Sequence, residues 1–277
     1  RLNVILFVTD DHAPWTFPCY GNSEVRAPVF DKIVRDGALF RNAFTPTPVC
    51  SPARACILTG LTSSQHGVHD FIHMLDPECE ERDWLDGCVT LAELLQREGY
   101  RCGLSGKWHI GQSMQTPRGY DWSRINVKGP HMGETSFSID GELVVREGNK
   151  TEMITDYAIE FLEAQSDDQP FFLHVGYLAT HSPYLNQTDE DLIASYEDAT
   201  FKDVEMGEPH PLSWNEGFAE DAVATDEEAR IRHMSQYAAV TDIDQNVGRI
   251  LDTLEALGQM DNTVVIYTSD HGLTLGQ

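Results

Sequence analysis

The chain has 277 residues, 41% hydrophobic and 23% charged, and its 45 acidic against 19 basic side chains leave a formal net charge of −26. That length and apolar content can bury a sizeable core, as one large domain or one domain with appendages. Neither nucleic acid nor a membrane is expected as a partner: phosphate contacts need a basic surface, and no apolar run approaches the ~18–20 residues that span a bilayer.

In chain order, Leu2 to Thr9 is a short apolar run of the kind found in a strand covered on both faces, and it ends in Asp10-Asp11. Val29 to Gly37 reads as a short helix closed by glycine. The stretch Thr45-Pro46-Thr47-Pro48-Val49 restricts the backbone to extended and turn conformations, so Cys50 is expected in an irregular segment. A helix from Ala53 to Thr59 follows, with Pro52 suited to its first position, and its free N–H groups would favour an anion beside residue 50. Thr90 to Glu98 carries Leu91, Leu94 and Leu95 on one face and stops at Gly99. Strand Arg101 to Ser105 leads into Gly106-Lys107-Trp108-His109. A helical pattern from Thr155 to Gln165 carries Tyr157, Ile159, Phe161 and Leu162, and strand Phe171 to Leu178 leads into Thr180-His181-Ser182-Pro183. A long helix from about Glu227 to Leu257 stops at Gly258, and strand Thr263 to Ser269 ends in Asp270-His271.

Alternating strands and helices imply an α/β fold with a mostly parallel central sheet and helices on both faces. Ligands in such sheets bind beyond the carboxyl ends of the strands. That rule gathers Asp10, Asp11, Lys107, His109, His181, Asp270 and His271 at one crevice.

One acidic pair alone would be read as strand-end capping, but two pairs at the ends of two parallel strands point to a metal. The oxygens of Asp10, Asp11 and Asp270 suit calcium or magnesium. An imidazole is a less usual ligand for so hard an ion, so His271 has a second reading, orienting the bound anion. Taken singly, Lys107 is equally well an ordinary loop lysine and His181 a turn cap. His66, His69 and His73 fit one side of a helix or a loop near the pocket as well as a zinc site and are left out of the catalytic set. The acidic runs Glu78-Cys79-Glu80-Glu81 and Glu220 to Glu228 are read as hydrated faces. Apart from Cys50, the five cysteines at 19, 56, 79, 88 and 102 are odd in number and contain no C-x-x-C pair, which leaves the compartment open.

An isolated Cys50 would be read as a buried structural cysteine or half a disulfide. Its setting differs: Cys50-Ser51-Pro52-Ala53-Arg54, continued through Ala55-Cys56-Ile57-Leu58-Thr59-Gly60-Leu61 to His66-Gly67-Val68, resembles the signature of the type I, formylglycine-dependent sulfatases of the alkaline phosphatase-like superfamily. The resemblance implies that a formylglycine-generating enzyme oxidises Cys50 to an aldehyde, whose hydrate attacks the sulfur of a sulfate ester. It places Asp10, Asp11, Asp270, His271 and an oxygen of residue 50 around calcium, with magnesium as the alternative. Arg54 and Lys107 then balance charge on the hydrate and the sulfuryl oxygens, His181 protonates the departing alcohol, and His109 takes a proton as the aldehyde re-forms.

The implied substrate is a sulfated small molecule or glycan, and the implied compartment is periplasmic, secreted or lysosomal. Residues 1–277 are expected to form the N-terminal part of the catalytic domain. A further lysine and a smaller C-terminal subdomain of the family do not fall within the sequence, so a truncated chain is expected. Arg1 precedes the first strand with no initiator methionine or signal pattern, as a removed leader would leave it. The alternatives on the same scaffold are a phosphonate monoester or phosphodiester hydrolase, and a sulfated-glycan binding protein without turnover.

Overall fold

The first apolar run forms an interior strand of the parallel part of the sheet, between the sixth and seventh strands. The computed structural model describes residues 1–73, 76–166, 168–204 and 226–273, and strand β1 (Asn3–Thr9) lies in it with nearly every side chain buried. Further along the chain come β2 (Arg101–Gly106), β3 (Trp122–Lys128), β4 (Met132–Ile139), β5 (Glu142–Asn149), β6 (Phe171–Gly176) and β7 (Thr263–Ser269). They form one seven-stranded sheet in the order β5-β4-β3-β2-β6-β1-β7. Strands β3, β2, β6, β1 and β7 pair in parallel. Strands β4 and β5 add an antiparallel edge.

Alternation along β1 explains why it needs cover on both sides. Ile5 and Phe7 join Leu173 and Val175 of β6 in one core, and Leu6 and Val8 join Phe172 and Leu104 in the other. The first core is closed by helices whose apolar faces meet it. Their predecessors in chain order are α1 (Pro28–Asp36), α2 (Cys50–Thr59) and α3 (Leu91–Arg97); the covering pair is α4 (Lys150–Glu163) and α5 (Asp226–Ala256). Phe161 and Leu162 of α4 and Tyr237, Val240, Ile243, Val247, Ile250 and Leu254 of α5 supply that face. The second core is covered by Ala55 and Leu58 of α2 and Ala92 of α3. Burying a large aliphatic or aromatic side chain in such a core is worth about 1.5–3 kcal/mol.

Three sequence expectations need correction. Helix α2 starts at Cys50 rather than Ala53, with Val49 extended at its N-cap and the Ala53 N–H bonded to Val49 O at 2.9 Å. Pro52 is therefore the third helical residue, where its missing N–H costs nothing, because first-turn amides have no partner within the helix. Helix α4 starts at Lys150 rather than Thr155, because Asn149 caps it by accepting from the amides of Thr151 and Glu152. The β3–β5 segment had no counterpart in the expected pattern. β5 is a largely exposed edge strand, and β4 mixes Gly, Glu, Thr and Ser with three separated apolar residues, so neither carries the continuous apolar run of a central strand.

Among the described residues no helix is long and apolar enough to cross a membrane. In the first acidic run Glu78 and Glu81 are exposed, whereas Glu80 is half-buried and accepts the Ser113 N–H. Most of the second run, residues 220–225, lies outside the described residues.

Candidate active site

Strand ends deliver the functional side chains to one edge of the sheet. The Asp270 N–H bonds to Thr9 O at 3.1 Å and the Thr180 N–H to Asp10 O at 3.0 Å, which brings the segments after β7 and β6 against the end of β1. The Lys107 N–H reaches Gly176 O at 2.7 Å. That approach requires glycine on both strands: a Cβ on Gly106 would stand 2.1 Å from Gly176 O, and one on Gly176 2.4 Å from Lys107 O. Asp11 and His109 both adopt positive φ, 60° and 62°, a conformation that side chains other than glycine rarely hold outside functional or strained positions.

Charge is concentrated and dry at the centre. Arg54, 1% exposed, sets its Nε and Nη2 each 3.0 Å from Asp270 Oδ2, its Nη2 3.5 Å from Asp10 Oδ1, and donates through Nη1 to Lys107 O at 3.3 Å. Lys107 Nζ pairs with Asp10 Oδ2. Burial opposes ionisation of Asp10, but Lys107, Arg54 and His181 outweigh it and hold its carboxyl well below the usual carboxylate range. Asp270 moves the other way: burial and the adjacent Asp10 raise it, and Arg54 offsets only part of the rise. Burial and Asp10 also raise Asp11.

Asp10, Asp11, Cys50 and His271 each offer a ligand atom, and these atoms lie within 4.8 Å of one another. Asp10 Oδ1 and Asp11 Oδ1 are buried without a hydrogen bond. His271 Nε2 stands 3.1 Å from Asp11 Oδ1 and 3.5 Å from Cys50 Sγ. Asp270 stands one step back, with Oδ1 accepting from the amides of Asp11 at 3.2 Å and His271 at 2.8 Å. Two orphaned carboxylate oxygens suit a hard divalent cation; a thiol beside them does not. An oxygen in place of the Cys50 sulfur removes that mismatch. Burial raises the Cys50 thiol, against a hydrogen bond from His181 that lowers it. The side chain is therefore not a prepared thiolate despite its place at the start of α2.

The two flanking histidines are in opposite states. His181 is raised to about 9: burial disfavours its charge, but the hydrogen bond to Cys50 and the charges of Asp10 and Asp11 prevail. Its Nδ1–H donates to Ser182 O at 2.8 Å. His109 is pushed down to about 3 by burial, reinforced by Lys107 and Arg54. It donates Nε2–H to Ile72 O at 3.0 Å, which fixes the neutral tautomer and leaves Nδ1 buried with a free lone pair. A protonated imidazole and a neutral one with an open acceptor form an acid and base pair.

Some neighbours had no sequence signal. The segment around Ile72 ties α2 to His109, since the Ile72 N–H also donates to Ser51 Oγ at 3.1 Å. Phe71, 41% exposed, sets its ring edge-on to His109 with centroids 4.7 Å apart. His131 and Lys150 are buried and bracket the unanticipated strands β4 and β5, which is why no motif pointed to them. His66 accepts from the Val68 N–H through Nδ1 and faces Cys56 Sγ through Nε2, while His69 and His73 are exposed; none of the three belongs to the ligand cluster.

A family model described as Sulfatase matches residues 2–277. The chain is 28% identical over 344 residues to an N-acetylglucosamine-6-O-sulfatase of Bacteroides thetaiotaomicron, an alignment covering 100% of this chain and 59% of that protein. It is 30% identical over 278 residues to N-sulphoglucosamine sulphohydrolase of Homo sapiens, covering 98% of this chain and 50% of the relative. A solved structure described as a complex with its substrate D-glucosamine-2-N,6-O-disulfate superposes with a TM-score of 0.74 at 26% identity, covering 100% of this chain and 66% of that one. The chain thus spans 50–59% of the length of these two curated relatives.

Proposed function

The chain belongs to the sulfatase family, and we propose that it hydrolyses sulfate esters to an alcohol and inorganic sulfate at residue 50. The observation that carries this is the meeting, at the first residue of α2, of Cys50 with the ligand atoms of Asp10, Asp11 and His271 and with the ring of His181. Formylglycine made from Cys50 by a formylglycine-generating enzyme would supply a hydrated aldehyde as nucleophile, and calcium or magnesium held by Asp10, Asp11 and His271, with Asp270 behind them fixing the Asp11 and His271 amides, would supply the charge that makes its hydroxyl acidic.

The protein's own groups do the rest. A net charge of −26 repels an anionic ester at long range, so attraction must be local, from Arg54, Lys107 and the N–H groups at the start of α2. Arg54 and Lys107 face the sulfuryl oxygens as charge builds on them, held in place by Asp270 and Asp10. His181, whose charged form Asp10 and Asp11 favour, gives a proton to the departing alcohol oxygen. His109 offers its free Nδ1 to the remaining hydroxyl of residue 50. The glucosamine sulfates named for the relatives favour a sulfated glycan as substrate, acted on outside the cytoplasm.

The test is turnover of nitrophenyl sulfate, glucosamine 6-sulfate and bis-nitrophenyl phosphate by full-length enzyme matured with the generating enzyme. A sulfate ester should have the highest kcat/KM, and Cys50→Ala should abolish its turnover. A phosphodiester as the best substrate, or sulfate turnover surviving in Cys50→Ala, overturns the proposal.

A further inference from the structure

The loop that carries His181 is gripped by a buried polar side chain a few residues further on and by two more from distant parts of the chain. Gln187, fully buried, points Nε2 at the carbonyls of Thr180 (3.2 Å), His181 (2.6 Å) and Pro183 (3.2 Å). Gln236, from α5 and 2% exposed, donates through Nε2 to Thr180 O at 2.9 Å and to Gln187 Oε1 at 3.2 Å. His131, just before β4 and also 2% exposed, donates Nε2–H to His181 O at 2.8 Å. The segment carrying His131 is clamped in turn: the Lys150 N–H donates to His131 O at 2.8 Å, and Lys150 Nζ donates to Gly129 O. On the other side the Thr180 N–H and Oγ1 hold Asp10 O at 3.0 and 3.3 Å.

Buried carbonyls need partners wherever they occur. The arrangement here is more specific, because donors from positions 131 and 187 converge on the carbonyl of His181 itself, and position 236 holds both Gln187 and the preceding carbonyl. With the backbone pinned and Nδ1 turned onto Ser182 O, the ring keeps one nitrogen for residue 50. We propose that Gln187, Gln236 and His131 are positioning residues that aim His181 at residue 50 and at the departing oxygen. This rests on His181 acting as the leaving-group acid. An acid works only with its proton in hydrogen-bond reach of the leaving atom, and displacement by about an ångström can cost on the order of a hundredfold.

The experiment compares kcat/KM for phenyl sulfate, whose phenol leaves poorly, with that for nitrophenyl sulfate, whose phenol leaves readily. Both are measured on the same preparation of full-length, matured enzyme, so their ratio does not depend on the fraction of enzyme that is folded. His181→Ala should lower phenyl sulfate turnover on the order of a hundredfold more than nitrophenyl sulfate turnover. Gln236→Met and His131→Leu should shift the ratio the same way by roughly tenfold or more, with little further shift when Gln236→Met is combined with His181→Ala. His131→Gln, which keeps a donor at the end of a side chain of similar reach, should retain the wild-type ratio. If His181→Ala shifts the ratio while Gln236→Met and His131→Leu slow both esters equally, the bracket is structural and the inference is wrong. If His181→Ala itself leaves the ratio unchanged, the acid assignment fails and the inference fails with it.

Discussion

Replacing Arg54 with methionine removes the cation that two buried carboxylates share, and the structure sets the size of the effect. Its nitrogens lie 3.0 Å from Asp270 and 3.5 Å from Asp10, and all three side chains are at most 1% exposed. At an effective dielectric of about 20, contacts of this length are each worth roughly 5 kcal/mol of Coulomb attraction. Desolvation cancels part of it, and breaking a buried pair by removing one partner costs about 3–5 kcal/mol. For a chain of this size that is a fall of about 6–20 °C in Tm. Arg54→Lys keeps the charge but loses the fork, so its loss should be smaller. Thermal melts of wild type, Arg54→Met and Arg54→Lys are run in chelator and again with excess calcium. The Arg54→Met loss should be largest in chelator, where Asp10, Asp11 and Asp270 are left with Lys107 and His181 as nearby cations. It should shrink when calcium restores positive charge beside them. A loss below about 1 kcal/mol in chelator would place the pair in the range of an exposed ion pair and refute the reasoning.

Removing divalent cations from the wild-type protein should lower both sulfate ester turnover and Tm, and calcium or magnesium should restore both; no change in either would make the carboxylate cluster purely structural. His174 gives a pH test away from the cluster: burial, with a smaller push from Arg54, lowers it to about 3. A folded-state pKa below the unfolded one near 6.5 means its share of stability is complete above pH 6.5 and drains as pH falls toward 3; at pH 5 about 2 kcal/mol is gone. Urea melts at pH 7.5 and pH 5 should therefore show a steeper acid loss in wild type than in His174→Leu, and equal losses would contradict the assignment.

Strands β1, β2 and β6 are buried on both faces, and β7 keeps its apolar run although it is a half-exposed edge strand, so these four and the chemistry at their ends were readable from the sequence. The helix start at Cys50 was not, because Pro52 marks a first turn without saying which residue of the turn it occupies. The segment 122–149 was missed because an edge strand such as β5 is mostly exposed and needs no apolar pattern. With it went His131, which reaches the His181 carbonyl, and Lys150, which clamps the segment carrying His131, since both placements depend on how β4 and β5 fold back. Contact between Asp10 and Asp270 could be inferred from parallel strand ends, but the engagement of Asp270 by Arg54 and two amides could not, since it depends on backbone conformations such as the positive φ of Asp11. Nor could the tautomer of His109, which is set by a carbonyl 37 residues away in the chain.

The central claim is tested most directly at residue 50 itself. Peptide mass analysis of protein made with and without a formylglycine-generating enzyme, together with hydrazide labelling, measures how much Cys50 has become an aldehyde. Each preparation is also assayed on nitrophenyl sulfate. The account predicts that turnover rises in proportion to the aldehyde fraction and is lost when hydrazide caps it. Full turnover by protein whose residue 50 is entirely an unmodified thiol would contradict it.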